Sequence, residues 1–257
     1  MEAWLFSPEL MSVSYQQNDE PNEFENGNDA AVELPPTPFP LFTVVLIAAI
    51  GCVFVAQLAG GMKQSILVAG FDKSAFLSAH EYWRILTGAA LHGGPLHVIM
   101  NCYAFFSFGK TFEFLSGRAH LPIVFLLAAI GGGVLSLLAA PDGVSVGASG
   151  GILGVIGYLA VYAFRRRRFV SAEFRKNMLV NIGFVLVFGL VLFQQIDNFA
   201  HIGGLVVGAI YAFVQIPTDE STDPRTTSSV VDGMGLAALG VYLATCVFAI
   251  LLILNFI

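Results

Sequence analysis

Apolar residues in this chain come in long unbroken runs, not in the alternating or two-faced patterns of soluble domains. Seven runs, at about residues 40–59, 96–116, 121–140, 149–164, 178–195, 199–216 and 235–256, carry few charges. A helix rises ~1.5 Å per residue, so ~20 apolar residues cross a hydrocarbon core of ~30 Å. The pattern predicts an all-α polytopic membrane protein. Residues 60–95, between the first two runs, mix apolar and polar positions and include Trp83, Arg84 and Pro95. That stretch is too mixed to span and too apolar for a free linker. It predicts a structured loop partly sunk in the interface, with Trp83 and Arg84 as its anchors. Residues 1–38 are acidic and rich in Asn, Glu and Pro, the composition of a disordered tail. The expected organisation is this tail over 1–38, a helical core over 39–216, a polar Ser- and Thr-rich linker over 217–234 and an additional transmembrane helix over 235–257.

Composition supports this, and charge adds an orientation. Of 257 residues, 56% are hydrophobic and 12% charged, with a mean hydropathy of +0.76. The charged share is about half that of a soluble domain. The net charge of −6 is concentrated at one end, because eight acids and no Lys or Arg fall in residues 1–40. Twelve basic and ten acidic residues remain, a balance that gives no sign of a nucleic-acid surface, and no nucleic-acid partner is expected. Nine of the twelve basic residues (Lys110, Arg118, Arg165 to Arg168, Arg175, Lys176 and Arg225) lie at the end of the second run or after the fourth and sixth. Positive charge marks the cytoplasmic side, so these ends face the cytoplasm and the C-terminus lies outside. The expected setting is a bacterial cytoplasmic membrane, with no cleavable signal peptide before residue 40. Cys52, Cys102 and Cys246 lie in apolar runs and read as buried, reduced thiols. With no CxxC and no HExxH, neither a metal nor a cofactor is expected.

Polar residues inside spans are costly and mark function. Ser149 lies sixteen residues before Arg165, and His201 sixteen before Pro217, so each sits ~24 Å above the cytoplasmic end of its helix. Asn101, seventeen before Arg118, lies at ~25 Å, and His97 one turn higher. Three helices thus deliver Ser, His and Asn to one level below the outer surface. Gly204 and Gly208 share a helix face with His201, a spacing that lets transmembrane helices approach closely. A short Ser needs such an approach to bond a His on another helix. The competing reading is that the glycines only pack helices and Ser149 caps one. Asp197, one turn before His201, either caps that helix or orients the imidazole as in a triad. Glu113 reads as a loop tie, and His80 and His120 as interfacial. Gly147-x-Ser149-x-Gly151 also fits the nucleophile elbow of soluble α/β-hydrolases, but that fold needs strands this chain does not offer.

The ordered set of motifs resembles the rhomboid intramembrane serine proteases. It comprises Trp83-Arg84, His92, His97-x-x-x-Asn101, Gly109-x-x-x-Glu113-x-x-x-Gly117, Gly147-x-Ser149-Gly150 and Ala200-His201-x-Gly203-Gly204-x-x-x-Gly208. The resemblance implies a six-helix rhomboid-type bundle with a C-terminal seventh transmembrane helix. It implies a Ser149–His201 dyad opening outward, with oxyanion donors from His97, Asn101 and the backbone at Ser149 and Gly150. It also implies single-span transmembrane proteins as substrates, cut near the outer face of the bilayer. Some members carry an aromatic residue four positions after the serine, where this chain has Leu153. The alternative function is a rhomboid-like pseudoprotease that binds transmembrane clients without cutting them.

Overall fold

A computed structural model of the chain describes residues 38–191 and 196–256. The tail expected over 1–38 therefore lies outside the described residues, apart from Pro38. The order is α1 (Leu41–Gly60), α2 (Met62–Ala69), β1 (Phe71–Asp72), α3 (Lys73–Ser78), α4 (Arg84–Thr87), α5 (Pro95–Ser116), α6 (His120–Ala139), β2 (Val144–Ser145), α7 (Ser149–Arg165), α8 (Ala172–Val191), α9 (Asn198–Gln215) and α10 (Ser229–Ile253). Among the described residues, α1, α6, α9 and α10 are long and apolar enough to cross a membrane. The helices are apolar outside as well as inside: Val191, Val214 and Leu138 are among many large aliphatic side chains facing outward. A helix bundle closes its backbone hydrogen bonds internally and can present such a surface to lipid. The chain is an integral membrane protein of helical architecture.

The long helices follow the apolar runs, with two early starts. α10 begins six residues before its run because the Ser228 hydroxyl accepts from the Val231 N–H and Asp232 sits in the first turn. Both features stabilise a helix N-terminus. α8 likewise starts at Ala172, ahead of the run at 178. Pro95 opens α5 at its first turn, where a missing N–H costs nothing.

The centre of the bundle is α6, α7 and α9, which pack more extensively on one another than any other elements do. Their contact is glycine-built. A Cβ on Gly204 would overlap the Gly150 carbonyl, one on Gly208 the Gly154 carbonyl, and one on Gly157 the Leu205 carbonyl. Backbone therefore meets backbone along the α7–α9 seam. At the opposite end, Glu113 of α5 accepts from both the Thr43 N–H and the Thr43 hydroxyl at 2.6 Å, which caps the start of α1. This is the tie expected of Glu113, made to a helix start.

The mixed stretch folds into α2, β1, α3 and α4, and β1 pairs antiparallel with β2, Phe71 against Ser145 and Asp72 against Val144. Arg84 is buried and not an interfacial anchor. Its guanidinium donates to the Leu67 and Gly70 carbonyls and to Glu81, so it braces the loop from within. Trp83 packs edge-on against Phe248 of α10. His120 is also internal, bonded to the Tyr211 hydroxyl at 2.8 Å. Of the cysteines, only Cys246 is buried; Cys102 is half-buried and Cys52 faces outward.

Candidate active site

Ser149 is the first residue of α7, and Ala148 occupies the N-cap position. Among the described residues the serine hydroxyl makes no capping hydrogen bond. It lies instead 2.8 Å from Nε2 of His201, on the first full turn of α9. His201 is buried, whereas Ser149 is half-exposed. The carbonyl-to-glycine contacts at Gly150–Gly204 and Gly154–Gly208 bring the two helices close enough for this short bond. Nδ1 of His201 is buried and has no hydrogen-bond partner among the described residues.

Asp197 is therefore not a third member of a triad. Its carboxylate caps α9 by accepting from the Ala200 N–H at 3.0 Å, and it accepts from the Ser136 and Ser145 hydroxyls. The buried ammonium of Lys73 lies 3.9 Å away and donates to the Ala140 carbonyl at 2.8 Å. Burial alone would raise the Asp197 carboxyl. The hydrogen bonds from Ser136, Ser145 and the Ala200 N–H, with Lys73 beside them, outweigh that and lower it. The ionised group thus binds the loop, the end of α6 and β2 to the start of α9, one turn before His201. Asp197→Ala is expected to lower thermal stability by about 1–2 kcal/mol through loss of the cap and its partners. Asp197→Asn should lose less, since an amide oxygen still caps. Unfolding in detergent followed by circular dichroism checks the ranking.

Gly147 joins the serine to the histidine of α5. Its φ of +134° suits glycine, and a Cβ there would lie 2.9 Å from Cε1 and 3.0 Å from Nε2 of His97, and 3.7 Å from Oγ of Ser149. The His97 ring thus stands beside the nucleophile candidate. Its Nδ1 accepts from the Gly93 N–H at 3.3 Å. Asn101, one turn further along α5, is buried; its Nδ2 donates to the His97 carbonyl at 2.9 Å, and its Oδ1 has no partner among the described residues. Gly150 is buried behind the serine against the Ala200 carbonyl of α9, and Leu153 is buried one turn below Ser149.

Sequence reasoning missed the clamp behind this wall. Gln57 of α1 accepts from the His92 N–H at 2.9 Å and donates to the His92 carbonyl at 3.0 Å. That fixes the backbone just ahead of the Gly93-Gly94 turn, with the His92 ring edge-on to His97 at 5.1 Å. A Gln inside an apolar run was the available signal. Among the described residues no cluster of His, Cys, Asp and Glu could hold a metal.

A half-exposed serine hydroxyl is thus bonded to a buried imidazole inside a helical membrane bundle. The Rhomboid domain model matches residues 79–218, and the chain belongs to the rhomboid family. It is 32% identical to Rhomboid protease GluP of Bacillus subtilis over 202 residues, 77% of this chain and 37% of that protein. RHOMBOID-like protein 6, mitochondrial, of Arabidopsis thaliana is 30% identical over 156 residues, 60% of this chain and 50% of that one. Inactive rhomboid protein 1 of Bos taurus is 28% identical over 139 residues, 53% and 16% of the two chains. The chain thus spans half or less of the length of these relatives.

Proposed function

We propose that the chain is an intramembrane serine endopeptidase, with Ser149 as nucleophile and His201 as general base. The observation that carries this reading is the 2.8 Å contact between His201 Nε2 and Ser149 Oγ. A serine hydroxyl is a weak nucleophile until a base within hydrogen-bond reach takes its proton. His201 would accept that proton as Oγ attacks the scissile carbonyl, then deliver it to the departing amine. Water would hydrolyse the acyl-enzyme by the same proton route in reverse. The oxyanion needs preorganised donors in a dry site; we assign His97, Asn101 and the backbone N–H groups at Ser149 and Gly150. The proteolytic core is residues 39–216. Substrates are transmembrane segments of single-span proteins, cut near the outer face of a bacterial cytoplasmic membrane.

A second reading, a client-binding pseudoprotease, draws on the similarity to an inactive rhomboid protein. One experiment separates the two. Purified protein in detergent is treated with a fluorophosphonate and, separately, with a panel of single-span proteins. Adduct at Ser149 and cleavage of a panel member support the protease. Absence of both, with the fold intact, favours the pseudoprotease.

The orientation has its own test. On a cysteine-free background, a cysteine in the Pro141–Val146 loop is expected to react with an impermeant thiol reagent in intact cells, and one in Arg165–Arg175 is not. The opposite pattern would put the dyad on the cytoplasmic side.

A further inference from the structure

The Rhomboid domain match ends at residue 218, and α10 begins beyond it at Ser229. Yet α10 is not a peripheral span. Tyr242, at its middle, is fully buried, 1% exposed. Gly235 lies so close to α6 that a Cβ on it would meet the Ala119 carbonyl at 2.5 Å. Near the other end, Ile253 packs against Gly60 of α1.

Two routes run from Tyr242 to the segment that carries Ser149. The first is polar. The Tyr242 hydroxyl donates to the Ala89 carbonyl at 3.3 Å. The neighbouring Gly88 carbonyl accepts from the Gly147 N–H at 2.9 Å, two residues before Ser149. The second is apolar. The Tyr242 ring stands edge-on to Phe125 of α6 at 5.0 Å between centroids. The Phe125 ring fills the space a Cβ on Gly151 would occupy, 2.6 Å from it and two residues after Ser149. One side chain of α10 therefore supports the backbone on both sides of the serine. A third contact, Trp83 edge-on to Phe248 at 5.3 Å, ties the same helix to the start of α4, directly ahead of the Gly88-Ala89 segment.

We propose that α10 is a positioning element for the nucleophile loop, with Tyr242 as the positioning residue that holds Gly147-Ala148-Ser149 through Ala89 and Phe125. The proposal rests on the assignment of Ser149 as nucleophile. Tyr242 touches no reacting atom. Its hydroxyl keeps the 88–89 backbone where Gly147 can donate to it, and that bond sets the direction of the N–H groups and hydroxyl that follow. A donor or nucleophile displaced by a fraction of an ångström loses much of its effect on an acyl transfer.

The test uses the full-length protein in detergent and a fluorophosphonate as probe, so that substrate docking plays no part. Tyr242→Phe keeps the ring against Phe125 and removes the hydroxyl. It is expected to slow labelling at Ser149 about three- to tenfold, the reach of one buried hydrogen bond, at temperatures well below unfolding. With a cleavable substrate, the loss should appear in kcat and leave KM nearly unchanged. Phe248→Leu, which loosens α10 from Trp83 without touching Tyr242, should slow labelling in the same sense. Val247→Ala, on the outward face of α10, should label as wild type does. Wild-type rates in both Tyr242→Phe and Phe248→Leu would overturn the proposal. So would slowing that merely tracks a lowered melting temperature and vanishes on cooling. Failure of wild type itself to label would instead overturn the assignment of Ser149, and is read separately.

Discussion

Replacing either Ser149 or His201 by alanine is expected to reduce cleavage by at least about 10⁴-fold, with the bundle still folded. Members of a nucleophile–base pair act as a unit, so each single loss costs nearly what the double loss costs. The double variant Ser149→Ala/His201→Ala should therefore be no slower than the singles. Folding should survive because Ser149 Oγ bonds only His201 among the described residues, and Nδ1 of His201 bonds nothing there. Neither side chain holds a helix in place, and the glycine seam that does is untouched. Cleavage of a single-span substrate in detergent, with thermal unfolding alongside, reads both quantities. Substantial turnover in either single variant would remove that residue from the chemistry.

Gly204→Ala is expected to be among the most damaging conservative changes away from the dyad. Its Cβ would overlap the Gly150 carbonyl and stand 2.8 Å from the Gly150 carbonyl carbon. The obstacle is backbone, not the free end of a flexible side chain, so α9 must move off α7. Overpacking of this kind typically costs ~1–3 kcal/mol. The kinetic loss should be larger than the stability loss implies, because the helices part at the level of the 2.8 Å Ser149–His201 contact. A displacement of ~1 Å in a reacting pair can cost ~10²-fold. Gly51→Ala in α1, where a Cβ meets nothing within 4 Å, is the control and should be neutral or slightly stabilising. Equal labelling of Ser149 in Gly204→Ala and wild type would show that the seam tolerates separation.

The helices and the pairing of Ser149 with His201 were legible because each rests on local information. A run of apolar residues reports a span, and equal distances from basic or proline-marked ends report equal depth. The glycines at i+3 and i+7 from His201 announced the face that meets α7. Other parts were not legible, for a physical reason in each case. The cap that Asp197 makes on α9 was legible, but its further partners Ser136, Ser145 and Lys73 were not, because only the fold brings them to it. Arg84 looked interfacial because no sequence rule says that two backbone carbonyls and Glu81 will enclose a guanidinium. Tyr242 gave no sign at all: one aromatic among many in an apolar run, it is set apart by the Ala89 carbonyl and the Phe125 ring that the fold brings to it.

The glycine seam also separates what mutation can change from what it cannot. Gly157, Gly204 and Gly208 each face a backbone carbonyl, and Gly154 faces the Cβ of Ala128, with no room for a methyl group. A methyl group at any of these positions forces neighbouring helices to shift. Ser149 and His201 are under no such steric constraint, and smaller residues at both leave the seam closed. Loss of the hydroxyl or the imidazole would then be a one-step change that spares the scaffold, whereas loss of a seam glycine strikes scaffold and chemistry together. Under the proposed chemistry, the reaction is therefore separable from the scaffold: it would be lost at Ser149 or His201 without any redesign of the fold.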